Sequence, residues 1–158
     1  MKALENAADI YSVLYVTTDV SAQDLAIQSF YLHTATFEDP LVKCIGVNAI
    51  KANFNALRIF TQISHAIHSS SAKTNSDGTE TVTVDATVTF NVWLLTFRLR
   101  QISVFGVRED GRCFRHEDIW SLRHLLENFW GFAYVYGILR IVLGKVVTKS
   151  TAITEIRK

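Results

Sequence analysis

The chain has 158 residues, 49% of them hydrophobic, and a formal charge of +1. That length suits one domain with a good core, and the near-zero charge gives no global case for nucleic-acid binding. Its two cysteines, Cys44 and Cys113, lack metal-ligand spacing and read as free thiols.

Residues 1–9 carry acids where a signal peptide needs an apolar core, so no secretion signal is expected and the chain reads as cytoplasmic. Residues 3–18 read as a helix, with Leu4, Ala8, Tyr11 and Tyr15 on one stripe. A tyrosine on such a stripe is usually core, its hydroxyl bonded nearby. Ser21 opens a second helix with Asp24 three residues on, and Ile27, Phe30 and Tyr31 supply its buried side. A short alternating strand then runs through Ala35, Thr36, Phe37, Glu38 and Asp39 and stops at Pro40, the one proline of the chain. Alternation puts Asp39 on the face of Phe37, so an inward Phe37 implies an inward carboxylate. Such a group needs a partner or a role. Gly46 and Asn48 precede a third helix with Ile50, Phe54 and Leu57 on one face.

The remainder of the first 127 residues is mostly strand. Ile63, His65 and Ile67 share a face, with His65 reading as a satisfied core histidine. Residues 69–80 read as a polar hairpin loop closed by Asp77 and Gly78. Val82, Val84, Ala86, Val88, Phe90 and Val92 alternate with polar residues in a long half-buried strand. Phe97, Leu99, Gln101, Ser103, Phe105 and Val107 form the inner face of the next. After a turn at Glu109, Asp110 and Gly111, the last strand sets Phe114, His116, Asp118 and Trp120 on one face. The opposite choice would bury Arg115 and Glu117, so His116 and Asp118 are expected inside. Two polar groups between aromatics suit a small-molecule pocket.

The pattern predicts an α+β fold: a curved antiparallel sheet with N-terminal helices on its concave face, followed by a C-terminal helical extension. A domain is expected over 1–127 and the extension over 128–158. Residues 129–147 are almost wholly apolar, but Arg140 and Lys145 and three glycines interrupt them. Arg140 at a bilayer centre would cost about 2.5–3.5 kcal/mol. From residue 139 on, five basic residues stand against Glu155. Three readings stay open: a lid, a dimer interface, or peripheral contact with an anionic membrane.

No nucleophile elbow, zinc motif, phosphate loop or dinucleotide fingerprint is present, and no metal or cofactor is expected. A buried carboxylate near a histidine points to general acid/base work. Asp39 is the expected base, Tyr15 the donor to a developing oxyanion, and His116 with Asp118 an acid/base or water-orienting pair. Phe37, Val88, Phe90, Ser103, Phe105, Phe114 and Trp120 are the expected substrate-binding residues.

The order of elements resembles the cone-shaped nuclear transport factor 2-like superfamily. The run from Tyr15 to Ala35, Thr36, Glu38, Asp39 and Pro40 is similar to the bacterial ketosteroid isomerases. The resemblance implies that Tyr15 falls on the oxyanion-hole tyrosine and Asp39 on the proton-shuttling base. Ser103 falls where those enzymes keep a second, protonated acid. Polar His116 and Asp118 look more like SnoaL-type polyketide cyclases or limonene-epoxide-hydrolase-like members. The stretch His116 to Ser121 and the hydrophobic extension are similar to fungal members of the superfamily. The expected activity is an isomerase or cyclase acting on an apolar polycyclic, terpenoid or polyketide-like substrate. The alternatives are a non-catalytic binding module for an apolar ligand or protein partner, and an epoxide hydrolase, which needs two acids and an arginine in one cavity. The family also implies a homodimer.

Overall fold

The computed structural model describes residues 2–16 and 19–121, together with 123, 126, 134, 136–138 and 141. Two compact units divide the chain, Met1–Ser121 and Leu122–Lys158. The first is α+β, with a curved, unclosed six-stranded sheet.

Helix α1 spans Lys2–Val16, and Ala7, Ile10, Tyr11, Leu14 and Tyr15 are buried along it. Leu4 and Ala8 of the expected stripe lie outside the described side chains, as do residues 17 and 18. Helix α2 spans Val20–Phe30. Its cap is Asp19, not Ser21: the Asp19 carboxylate accepts from the backbone N–H of Ser21 and Ala22. Tyr31 ends that helix and opens β1, Tyr31–Glu38, which buries Tyr31, Ala35 and Phe37. A strand that sequence periodicity did not indicate, β2 at Lys43–Ile45, pairs antiparallel with β1. Helix α3, Val47–Ala56, follows from Gly46, whose φ of 88° lies where a side chain is strained. It buries Val47, Ile50 and Phe54, and a 3-10 turn at Leu57–Ile59 leads out of it.

Three long strands carry the middle of the sheet: β3 Gln62–Thr74, β4 Glu80–Val92 and β5 Leu95–Val107. Strand β6 is Cys113–Trp120. The sheet order is β2-β1-β6-β5-β4-β3. The sheet is mixed, because β1 runs parallel to β6 while the other pairs are antiparallel.

Residues 69–74 are strand rather than loop, paired with Glu80 to Asp85 beyond an irregularity at Ile67 and Ser69. The hairpin turn is shorter than expected; its Asn75 N–H donates to the Thr79 carbonyl, and Gly78 has a φ of 81°. Between β4 and β5 the loop is two residues, Trp93 and Leu94, with Val92 facing Leu95. Neither is a usual residue for such a turn.

The core lies between the sheet's inner face and the helices. Val82, Val84, Ala86 and Val88 of β4 and Phe105 and Val107 of β5 meet Tyr11, Leu14, Ile27, Phe37 and Phe54. The inner faces of both strands follow the predicted alternation. In the second unit the described residues 123, 126, 134, 136–138 and 141 are helical, and Tyr134, Ile138 and Ile141 are exposed. Arg140, Lys145 and most of the apolar run 129–147 lie outside the described residues. Among the described residues no helix is long and apolar enough to cross a membrane.

Candidate active site

On β5 and β6 the antiparallel register sets Ser103 opposite Asp118 and Phe105 opposite His116. Both pairs face inward. His116 is fully buried, Asp118 is 4% exposed, and Ser103 and Gln101 are buried beside them. This is a polar cluster inside an apolar shell, which is stable only if its members satisfy one another.

They do so around the Asp118 carboxylate. Tyr15 donates to its Oδ2 and Ser103 to its Oδ1. His116 Nε2 lies 3.1 Å from the same Oδ1, and its Nδ1 lies 2.7 Å from the Tyr31 hydroxyl. One assignment satisfies every contact: Tyr31 donates to Nδ1, and Nε2–H donates to Asp118. Gln101 Nε2 donates to Ser103 Oγ at 3.3 Å. Three donors thus stand in for the water that Asp118 has lost.

Aromatic rings fix the imidazole. Phe105 stacks on His116 at 4.1 Å between centroids, and Phe37 meets its edge at 5.0 Å. Phe54 lies parallel to it at 6.2 Å. Burial, and then the Asp118 charge, raise the pKa of Tyr15 well above the ordinary phenol range. Burial does the same at Tyr31. Both phenols therefore keep their protons and serve as donors. Tyr11, 4.7 Å from Tyr15 between ring centroids, is pushed the same way by burial and by Asp118. Its buried hydroxyl makes no hydrogen bond of good geometry, although the Gln101 and Ser103 side chains stand near enough to oppose the upward shift.

Beside this cluster is a cavity of about 160 Å³ whose walls include Leu14, Tyr15, Gln23, Phe54, Phe60 and Ile63. Tyr15 and Phe54 belong to both cavity and cluster. The cavity's polar side is held in place by the Gln23 amide, which donates to the Leu14 carbonyl at 2.7 Å.

Of the residues singled out in the sequence, Tyr15, Ser103, His116 and Asp118 are brought together, with Phe37 and Phe105 around them. Val88 is in the core, while Phe90 packs on Phe60 at 4.8 Å and Trp120 is half-buried.

Two orientations differ from expectation. Asp39 lies one residue beyond the end of β1, so strand alternation no longer aims it. Its Oδ1 instead accepts from the N–H groups of Leu41 and Val42, both at 2.7 Å, and it caps a turn away from the cluster. Phe114 is 37% exposed rather than inside. The register slips by one residue between Gly106/Arg115 and Val107/Cys113, a bulge that turns Cys113 inward and Phe114 out.

Tyr31 and Gln101 were legible only as apolar-face residues, and Tyr11 only as part of a stripe. Their polar roles depend on contacts between distant segments. Cys113 is buried and its thiol is pushed up to about 12 by burial; both cysteines are free. His65 is held by Ser12 at 3.3 Å outside the cluster. Arg98 and Arg100 are exposed, and Arg100 pairs with Asp85 at 2.8 Å. Among the described residues Asp118 is the one buried acid. Among the described residues no three His, Cys, Asp or Glu side chains gather as metal ligands.

The fold is that of the nuclear transport factor 2-like, SnoaL-like and ketosteroid-isomerase-like proteins. An LEH-like epoxide hydrolase of M. tuberculosis superposes with a TM-score of 0.65 at 14% identity, covering 90% of this chain and 96% of that one. A candidate scytalone dehydratase from Novosphingobium aromaticivorans gives 0.62 at 15% identity over 77% of this chain and 84% of its own. Nuclear transport factor 2 from Cryptosporidium parvum gives 0.59 at 14% identity over 76% and 93%. At these identities the likeness is one of fold, and the same cone carries enzymes and a transport factor alike. No family model matches the sequence. No curated protein matches it either.

Proposed function

We propose that the chain is a small-molecule enzyme of the isomerase or cyclase type, with Asp118 rather than Asp39 as the proton-transferring group. The observation that carries this reading is a nearly buried carboxylate held by Tyr15, Ser103 and His116, with Tyr15 also forming a wall of the adjoining cavity. A carboxylate kept in a dry, aromatic site and fixed from two sides is placed for general-base work. His116, oriented by Tyr31, donates its Nε2–H to Asp118 and steadies the carboxylate charge. Tyr11, whose buried hydroxyl makes no well-formed hydrogen bond and lies by Gln101 and Ser103, is the donor this reading gives to a substrate oxygen.

The cavity, at about 160 Å³, is close to the size that accepts a benzene ring, roughly 150 Å³. The substrate class that fits is an apolar ketone presenting one ring at a time, with its carbonyl toward Tyr11. Asp118 takes a proton from the carbon beside that carbonyl, the oxygen gains charge against Tyr11, and the proton returns to another carbon.

The near-complete burial of His116 and Asp118 favours a second reading, a binding module whose polar cluster only shapes the cavity. Deuterium exchange separates the two. A panel of apolar cyclic ketones in heavy water should show enzyme-dependent exchange at the carbon beside the carbonyl, followed by proton NMR. Asp118→Asn should slow it by about 10²–10⁴-fold, while Asp39→Asn should leave it unchanged. Equal rates in wild type and Asp118→Asn would remove Asp118 from the mechanism. A bound ketone with no exchange would establish the binding module.

A further inference from the structure

The β4–β5 hairpin ends in an exposed apolar tip. Trp93 is 90% exposed, Leu94 fully exposed and Leu95 58% exposed. Trp93 has a φ of 53°, and it is the one non-glycine residue with positive φ among the described residues. The first position of such a two-residue loop favours glycine, and a bulky residue there is a backbone outlier. The strain supports no packing, because the side chain touches little. A strained conformation that holds an indole in solvent points to function at that spot.

Its neighbours extend the patch. The β3 strand begins beside the last residues of β4: Thr61 N–H donates to the Asn91 carbonyl at 2.8 Å, and Gln62 faces Asn91. Phe60 packs on Phe90 there, and Ile59 is 73% exposed. Leu57, Arg58, Phe60 and Thr61 also line the cavity, so its rim lies at the same end of the sheet as the tip. Within 57–63 and 90–100 the charged residues are Arg58, Arg98 and Arg100, of which Arg100 is paired with Asp85.

We propose that the Trp93–Leu94 tip docks on an anionic lipid surface and brings the cavity's rim against it. Indole and leucyl side chains at a protruding tip suit the headgroup boundary, and the positive charges of Arg58 and Arg98 at this end of the sheet complement anionic lipid. An apolar molecule dissolved in the bilayer then enters the cavity without crossing water. The inference stands whether the cavity's occupant is converted or merely carried.

Sedimentation of the full chain with vesicles tests it. Binding is expected to phosphatidylcholine vesicles containing phosphatidylserine, weaker to phosphatidylcholine alone, and weakened by salt. Trp93→Gly places the favoured residue at a φ of 53°, so it should hold or raise Tm while binding vesicles about tenfold or more weakly. Leu94→Ser should weaken binding without changing Tm. That split cannot arise from a packing role. No binding by the wild type, or binding as strong as the wild type's by Trp93→Gly and Leu94→Ser, would overturn the proposal. So would wild-type self-association that both variants abolish with no vesicle binding, which would make the tip a chain–chain contact.

Discussion

Three buried tyrosines set an alkaline limit on this fold. Burial is the first cause raising Tyr11, Tyr15 and Tyr31 above their unfolded value of 10.0, with the Asp118 charge adding to each. Between the unfolded and folded values the unfolded chain sheds protons that the folded chain keeps. Stability is therefore full below about pH 10 and falls as pH rises beyond it. Tyrosinate absorbance and circular dichroism, followed together, should show these phenols ionising with unfolding, and Tyr31→Phe should flatten the decline. Ionisation of all three within a folded chain would contradict their burial. The same contacts show what was legible at the residue scale. His116 and Asp118 were readable because two aromatics flanked them and the alternative face would have buried Arg115 and Glu117. Asp39 was misdirected by the same rule, since alternation holds only while the strand continues. An aspartate just past a strand end, followed by Pro40, reads equally as a turn cap whose oxygen meets N–H groups two and three residues on.

At the level of elements, the bulge in β6 decides which side chains enter the core. Without it Phe114 would sit inside by alternation; with it Cys113 is buried and the Phe114 ring lies across Gly106. A Cβ added at Gly106 would come 2.7 Å from Phe114 Cζ, closer than packed atoms allow. Gly106→Ala should therefore destabilise by about 1–3 kcal/mol. Phe114→Ala in the same chain should restore most of the loss, because the three nearest atoms are all on that ring. A denaturant series on the two single variants and the double variant measures the coupling, and simple additivity would refute it. Strands β4 and β5 were legible because one face meets the core and the other meets water. Residues 69–74 were not, since β3 is an edge strand there with both faces wet and its serines carry no period-two signal. Strand β2 has three residues, too few for any periodicity to register.

Across the whole molecule, the α+β architecture follows from where the apolar residues can be buried. Among the described residues, every buried apolar side chain falls between Ala7 and Cys113. The Asp118 cluster draws its members from α1, β1, β5 and β6, so forming it requires the first unit to close completely. The site thus depends on packing between segments from both ends of Met1–Ser121. A chain ending at Ser121 should consequently unfold in a single cooperative transition and keep the near-ultraviolet circular dichroism of its buried tyrosines. Its response to Asp118→Ala should match that of the full chain, because removing the acceptor leaves Tyr15, Ser103 and His116 with unpaired buried groups in either context. Thermal melts of the two lengths, each with and without the substitution, measure this. A shortened chain with no cooperative transition would mean that the first unit does not hold its core alone.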